Sequence, residues 1–155
     1  MSGPYLIRRL RTADLDRILE IEHASFGKDA YDRNLFAEYL RKCGELFLVA
    51  LQRKRICGYM ITCTRADRTG AEVISLAVHP KFRGKGAASA LMASTLRRLR
   101  RRAVPRVSLM VKLTNDAARR FYEKWGFVKV RFVKRYYEDG KDGIRMVLRQ
   151  IPTPR

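Results

Sequence analysis

The sequence predicts a mixed α/β fold in a single domain over residues 1–155, with a central sheet of about seven strands and four helices. Three observations carry that expectation. Apolar stripes at helical spacing alternate with short β-branched runs. Consecutive runs in the middle of the chain are separated by short polar turns, as hairpin-linked strands are. No repeat, linker or low-complexity block interrupts the sequence.

Each element has its own signal. Tyr5–Ile7 opens as a strand, and Thr12 reads as an N-cap ahead of Leu15, Ile18, Leu19, Glu22 and Phe26, which recur at helical spacing. A second helix covers Asn34–Lys42, with Leu35, Phe36, Tyr39 and Leu40 as its stripe and Gly44 as its end. Leu46–Leu51 and Ile56–Thr64 are strands joined by the basic turn Gln52–Arg55, and Ala71–Val78 follows the turn around Asp67–Gly70. From Gly84 the period changes, and Ala88, Leu91, Met92, Thr95, Leu96 and Leu99 form one face of a long helix. Arg106–Val111 is a strand leading to a helix capped by Thr114 or Asn115 and closed by Gly126. Two last strands, Phe127–Tyr137 and Gly143–Leu148, flank the acidic turn Glu138–Asp142.

Composition bounds the function. Lys and Arg total 34 against 15 acidic residues, for a formal net charge of +19. Such a field attracts anions: a phosphorylated cofactor, nucleic acid or an RNA-rich assembly such as the ribosome. The cluster Arg97, Arg98, Arg100, Arg101 and Arg102 fits either an RNA contact or a solvated helix end facing the negative pole of the dipole. No apolar run reaches the roughly 18 residues of a membrane span, and the N-terminal stretch has no secretory pattern, so the expected compartment is the cytoplasm with no membrane partner. Cys43, Cys57 and Cys63 lack the spacing of a zinc or redox motif and are expected to be reduced, packed thiols. His23 and His79 are isolated, so no metal is expected.

The most informative segment is His79–Ala88, where a strand ends and a helix begins. Gly84 and Gly86 let the backbone turn sharply and bring its amides close to a ligand. The first-turn amides of the helix lack partners and carry the positive dipole end, which with Arg83 and Lys85 makes a cradle for pyrophosphate. The segment is neither a Walker A loop nor a Rossmann fingerprint, because the Gly-Lys-Ser/Thr spacing is absent and Ser89 stands at the third glycine. A tight turn with basic decoration is the plainer reading.

Three motifs then resemble one family in order and spacing. Arg83-Gly84-Lys85-Gly86-Ala87-Ala88 is similar to the coenzyme A signature of the GNAT superfamily of N-acetyltransferases, and Ala71–Val78 to the strand that leads into it. Asn115–Phe127 resembles the family's Asn-x-x-Ala-x-x-Phe/Leu-Tyr-x-x-x-Gly-Phe helix. The resemblance runs over essentially the whole chain and is strong from 72 to 148. It implies a GNAT fold, acetyl-CoA as co-substrate and acyltransferase activity. The implied cofactor contacts are Leu76, Ala77, Val78, Arg83, Gly84, Lys85, Gly86, Ala87, Ala88, Asn115 and Tyr122.

Moving an acetyl group from a thioester to an amine requires a neutral amine, stabilised negative charge on the carbonyl oxygen and a proton for the departing sulfur. By resemblance, Glu72 is the base, Tyr122 the acid at sulfur, and a backbone N–H near Ala77 or Val78 the donor to the oxygen. Helical spacing alone would make Tyr122 a core residue, and Glu72 an exposed carboxylate at a strand start. The position where N-terminal acetyltransferases often carry a second base is Met110, which leaves Glu72 or bulk water for that duty.

The segments around Phe26 and Tyr31, and around Tyr136 and Tyr137, resemble the loop and hairpin with which ribosomal-protein-alanine and other N-α-acetyltransferases clamp a peptide N-terminus. Gly27 departs from the usual Phe-Pro. The implied acceptor is therefore a protein or peptide α-amine, with association to the ribosome through the basic surface. A lysine side chain or a small-molecule amine is the alternative acceptor within the class. A non-catalytic basic module on RNA is the alternative outside it.

Overall fold

The computed structural model describes residues 5–151 of the chain. In order, the elements are β1 (Leu6–Arg9), α1 (Leu15–Phe26), α2 (Arg33–Cys43), β2 (Phe47–Gln52), β3 (Arg55–Thr64), β4 (Ala71–Val78), α3 (Ala87–Arg101), β5 (Val107–Lys112), α4 (Asp116–Lys124), β6 (Val128–Val133) and β7 (Gly143–Leu148). Short 3₁₀ turns join several of them. The strands form one mixed seven-stranded sheet in the order β1-β2-β3-β4-β5-β7-β6. By contacts the chain divides into two compact units: residues up to Cys63 with Ile74–Arg101, and Thr64–Val73 with residues from Arg102 on. Among the described residues, no helix is long and apolar enough to cross a membrane.

The first unit owes its core to strands covered on both faces. The runs FLVAL in β2 and ICGYMIT in β3 are buried residue after residue, as strands between two helical layers must be. Towards α1 and α2, the rings of Phe36, Phe47 and Tyr59 meet at centroid distances of 5.6–6.1 Å, with Ile18 and Ile21 fully buried beside them. Each such aliphatic side chain stabilises the fold by about 1.5–3 kcal/mol. On the other face, Thr95 of α3 donates a hydrogen bond to the Met60 sulfur at 3.4 Å. Between Ala50 and Leu51 the β2–β3 register shifts, and the extra residue, Cys57, bonds the Ala50 carbonyl through its thiol at 3.3 Å.

The second unit is built on β5, which pairs in parallel with Ala71–Val73 of β4 and antiparallel with β7. β6 is the sheet's edge and is exposed along its length: Val128 (47%), Val130 (39%) and Phe132 (54%) interleave with exposed Lys129 and Arg131. A bulge lies between Lys129 and Arg131.

Three sequence expectations are corrected. Cys43 and Cys63 form a disulfide with Cα atoms 5.2 Å apart, leaving Cys57 as the buried free thiol. The fold brings the end of α2 to the end of β3, a proximity that sequence spacing does not express. Thr12 is not the cap of α1: it opens a 3₁₀ turn in which Asp14 accepts from the Arg11 amide (2.8 Å) and pairs with Arg8 (2.8 Å). The strand expected over Phe127–Tyr137 ends at Val133, because Arg135 adopts φ +52° and turns the chain. Tyr136 and Tyr137 therefore sit in the turn and not in a strand. Gly44 does end α2, as its C-cap, with φ −59° and not a left-handed conformation, and the chain continues as a 3₁₀ turn.

Candidate active site

In the first unit the candidate residues gather where β4 gives way to α3. Pro80–Phe82 form a 3₁₀ turn, with the Lys81 amide donating to His79 Nδ1 at 3.2 Å and the Phe82 amide to the His79 carbonyl at 2.8 Å. Gly84 and Gly86 then take φ of +78° and +94°, conformations in which side chains with a β-carbon are strained. A β-carbon built on Gly84 would meet no atom within 4 Å, and one on Gly86 would touch only the Tyr5 ring at 4.0 Å. The glycines answer a backbone need and leave the loop's outer side open. That open side is what a bulky pyrophosphate requires, together with the first-turn amides of α3, which begins at Ala87. The Tyr5 hydroxyl, just ahead of β1, donates to the Lys85 carbonyl at 3.1 Å and steadies the loop.

Arg83 and Lys85 differ in their surroundings. Arg83 donates from Nε to the Val78 carbonyl at 2.9 Å and from a terminal nitrogen to Ser25 Oγ at 3.1 Å. It thus clamps the loop back onto β4 and the end of α1. Lys85 is exposed. Burial, then the charges of Arg17, Lys81, Arg55 and Arg83, push His79 below its usual value, so this end of the unit favours anions over another cation. Leu76, Ala77 and Val78 close β4, with Ala77 and Val78 buried and Leu76 half-buried.

On the acceptor side of the same unit, Phe26 is 40% exposed at the end of α1. Gly27 follows with φ +55° and ψ −124°, which proline, held near −65°, cannot adopt. The departure from Phe-Pro therefore has a conformational cause. Tyr31 is half-buried, packing on Phe36 and Tyr39 at 5.8 and 6.4 Å, and its amide donates to Glu22 Oε2 at 2.9 Å.

In the second unit Glu72 is half-buried near the start of β4, in register with Ser108 of β5. Ser108 and Met110 share that face, and Arg145, the cross-strand partner of Met110, donates to Ser108 Oγ at 3.0 Å. Ser108 and Arg145 escaped the sequence reading. The signal available was the period-two alternation of Val107–Lys112 and Gly143–Leu148, which puts both on the polar face. Met110 lies against the Tyr136–Gly143 turn: a β-carbon on Gly143 would stand 2.9 Å from Met110 Cε and 3.2 Å from Tyr136 Cβ. Tyr136 and Tyr137 pack edge to face at 5.0 Å, and Lys112 Nζ lies 5.2 Å from the Tyr137 ring centre.

Asn115 caps α4, its side-chain carbonyl accepting from the Ala118 amide at 3.1 Å, which leaves the Nδ2 hydrogens as donors. Tyr122 is buried between Phe121 and Phe127, at 5.5 and 5.6 Å. Burial pushes its hydroxyl up to about 12, so it holds its proton across the physiological range. A phenol in that state is available as a hydrogen-bond donor.

The comparisons agree with this geometry. The model of the acetyltransferase (GNAT) family matches residues 12–127. An uncharacterised N-acetyltransferase of Methanocaldococcus jannaschii is 33% identical over 143 residues, covering 92% of this chain and 90% of its own. An N-alpha-acetyltransferase of Saccharolobus solfataricus is 28% identical, covering 92% and 91%. The crystal structure of the ribosomal-protein-S18-alanine N-acetyltransferase from Escherichia coli superposes with a TM-score of 0.83 at 28% identity, covering 97% of this chain and 96% of that one. Loop, capped helix and matched sequence lead to one assignment: the chain belongs to the GNAT family of acetyltransferases.

Proposed function

We propose that this protein transfers the acetyl group of acetyl-CoA to the α-amine of a protein N-terminus, as its N-alpha-acetyltransferase and ribosomal-protein-alanine relatives are named for doing. The observation that carries the proposal is the loop at Gly84 and Gly86, whose positive φ values and open surroundings leave room for a pyrophosphate at the start of α3. Leu76–Val78 and Asn115 complete the proposed contacts to acetyl-CoA.

The chemistry is assigned as follows. Glu72 removes a proton from the incoming amine, directly or through a water, on the face it shares with Ser108. The reaction needs little more from a base, since an α-amine loses its proton near pH 7.7–8.0, roughly 2–3 units below a lysine side chain. Tyr122, which keeps its proton at neutral pH, donates to the departing sulfur. A backbone amide at Ala77 or Val78 donates to the carbonyl oxygen; both residues lie beyond the stretch of β4, Ala71–Val73, that pairs with β5. Phe26, Tyr31, Tyr136 and Tyr137 hold the peptide. A net charge of +19 supports recruitment to a ribosome, and binding to ribosomal particles should weaken steeply with salt.

Mass spectrometry of a panel of peptides, lysine-bearing peptides and polyamines, each incubated with the protein and acetyl-CoA, tests the proposal. Acetylation at the first residue of peptides is the expected result. Acetyl groups on lysine side chains or spermidine instead would overturn the acceptor, and no transfer at all would overturn the function.

A further inference from the structure

Glu22 is buried in the core of the first unit at 1% exposure, yet it occupies a stripe of α1 otherwise filled by Leu15, Ile18 and Ile21. An apolar side chain would pack there without the cost of burying a charge, and exchanging buried ionic groups for apolar ones is often neutral or stabilising. Core stability is therefore a poor reason for the carboxylate. Its bonds give a better one. Oε2 accepts from the amide of Tyr31, nine residues on, in the loop that leads into α2. Oε1 accepts from the Tyr59 hydroxyl in the middle of β3. Tyr59 Oη and Ser75 Oγ on β4 are 2.8 Å apart, and because the phenol's one hydrogen goes to Glu22, Ser75 is the donor. Every hydrogen in the relay has an acceptor, which is what a buried polar network requires if it is to hold one geometry.

We propose that Glu22 and Tyr59 are positioning residues for the acceptor: by fixing the Tyr31 amide to β3 and β4, they set where the loop bearing Phe26 and Tyr31 holds the incoming peptide. Neither touches the reacting atoms. The relay's hydrogen bonds involve no residue of the Gly84–Gly86 loop, so its loss should fall mainly on the peptide. Burial pushes Glu22 above the usual carboxylate range while the Tyr31 amide and Tyr59 hydroxyl pull it back, the balance of a carboxylate that depends on both donors. The inference rests on the N-terminal acetyltransferase reading for the identity of the acceptor, and its test separates the two.

Tyr59→Phe keeps the ring among Phe36 and Phe47 and removes only the hydroxyl; Glu22→Gln keeps the volume and an acceptor for Tyr31. Both are checked for folding by circular dichroism. With a peptide acceptor, Tyr59→Phe should raise the peptide KM about tenfold and leave that of acetyl-CoA within about twofold. Glu22→Gln should show the same split, less severely than Glu22→Ala. Amide hydrogen exchange over residues 27–32 should quicken in Tyr59→Phe with the exchange of α3 unchanged. That second readout needs no substrate. If the wild type acetylates no peptide but the exchange result holds, the acceptor reading fails and the positioning stands. Equal rises in both KM values, or unchanged exchange over 27–32 in a folded Tyr59→Phe, would overturn the positioning.

Discussion

A β-carbon added to Gly58 would stand 3.0 Å from the carbonyl oxygen of Ala77 and 3.2 Å from Val78 Cγ2. β3 thus presents bare backbone to the end of β4, where the proposed donor to the acetyl oxygen lies, and the His79 amide completes the join with a 2.8 Å bond to the Cys57 carbonyl. Gly58→Ala should displace Ala77 by a few tenths of an ångström and destabilise the protein by about 1–3 kcal/mol. Turnover should fall more than the folded fraction does, measured on protein whose folding has been verified by thermal melts.

Glu72→Gln should lower turnover at neutral pH and recover as the pH rises above about 8, where the acceptor amine is already deprotonated. A pH–rate profile with a peptide acceptor tests this. An equal loss at every pH would make Glu72 a structural residue of β4.

Replacing Tyr122 with phenylalanine preserves the packing against Phe121 and Phe127 and removes the proton. Turnover should drop about 10²-fold, the low end for a general acid, with little change in the KM for acetyl-CoA. Because the hydroxyl titrates only at about 12, the wild type should show no loss of activity from this group up to pH 10. Single-turnover rates across that range decide the point.

Glu22 makes a distinctive contribution to acid stability. Burial raises its folded value above the unfolded one, so the folded state binds this proton more tightly. Its contribution is lowest above the folded value and grows as the pH falls towards the unfolded value of about 4.3. Asp14 runs the other way: burial alone would raise it, but Arg8 and the Arg11 amide outweigh burial, so the stability it contributes is lost as the pH falls through its lowered folded value. The groups facing Glu22 are Tyr59, whose value lies well above 10, and His23. Urea unfolding of wild type and Glu22→Gln at pH 7 and pH 5 should show the difference shifting in favour of the wild type at pH 5. A constant difference would mean that Glu22 does not titrate differently on folding.

The Cys43–Cys63 bridge closes a loop of sequence separation 20 and should stabilise the fold by about 3 kcal/mol. Replacing both with serine, or adding a reductant, should lower the melting temperature to the same extent. The buried Cys57 should then resist alkylation until the protein unfolds.

How much of this was legible depends on distance along the chain. β4 and β7 run from Ala71 to Val78 and from Gly143 to Leu148, as the local pattern reads them, because turn residues bound both. The phosphate loop was legible for the same reason: its chemistry lies within ten consecutive residues, His79–Ala88. Tyr136 and Tyr137 misled because strand-prone aromatics continue past the turn at Arg135, and only the positive φ ends the strand. Glu22 fell on the right helical face but gave no hint of Tyr59, 37 residues away, or of Ser75 beyond it. The disulfide and the Ser108–Arg145 bond were hidden likewise, since each joins segments that only the fold brings together.

The exposed rim strand β6 bears on how the protein must be handled. Unpaired backbone beside Val128, Val130 and Phe132 is a template for another copy of itself, and what blunts it is the bulge together with Lys129, Arg131 and the repulsion between copies at +19. Repulsion is the part a buffer can remove. High salt, the ordinary means of stripping nucleic acid from a basic protein, shortens the reach of charge from about 8 Å to about 3 Å at 1 M. The wash that cleans the preparation is thus the step that invites the edges to zip together into aggregates, and arginine-containing buffers at modest ionic strength are the safer route to concentrated material.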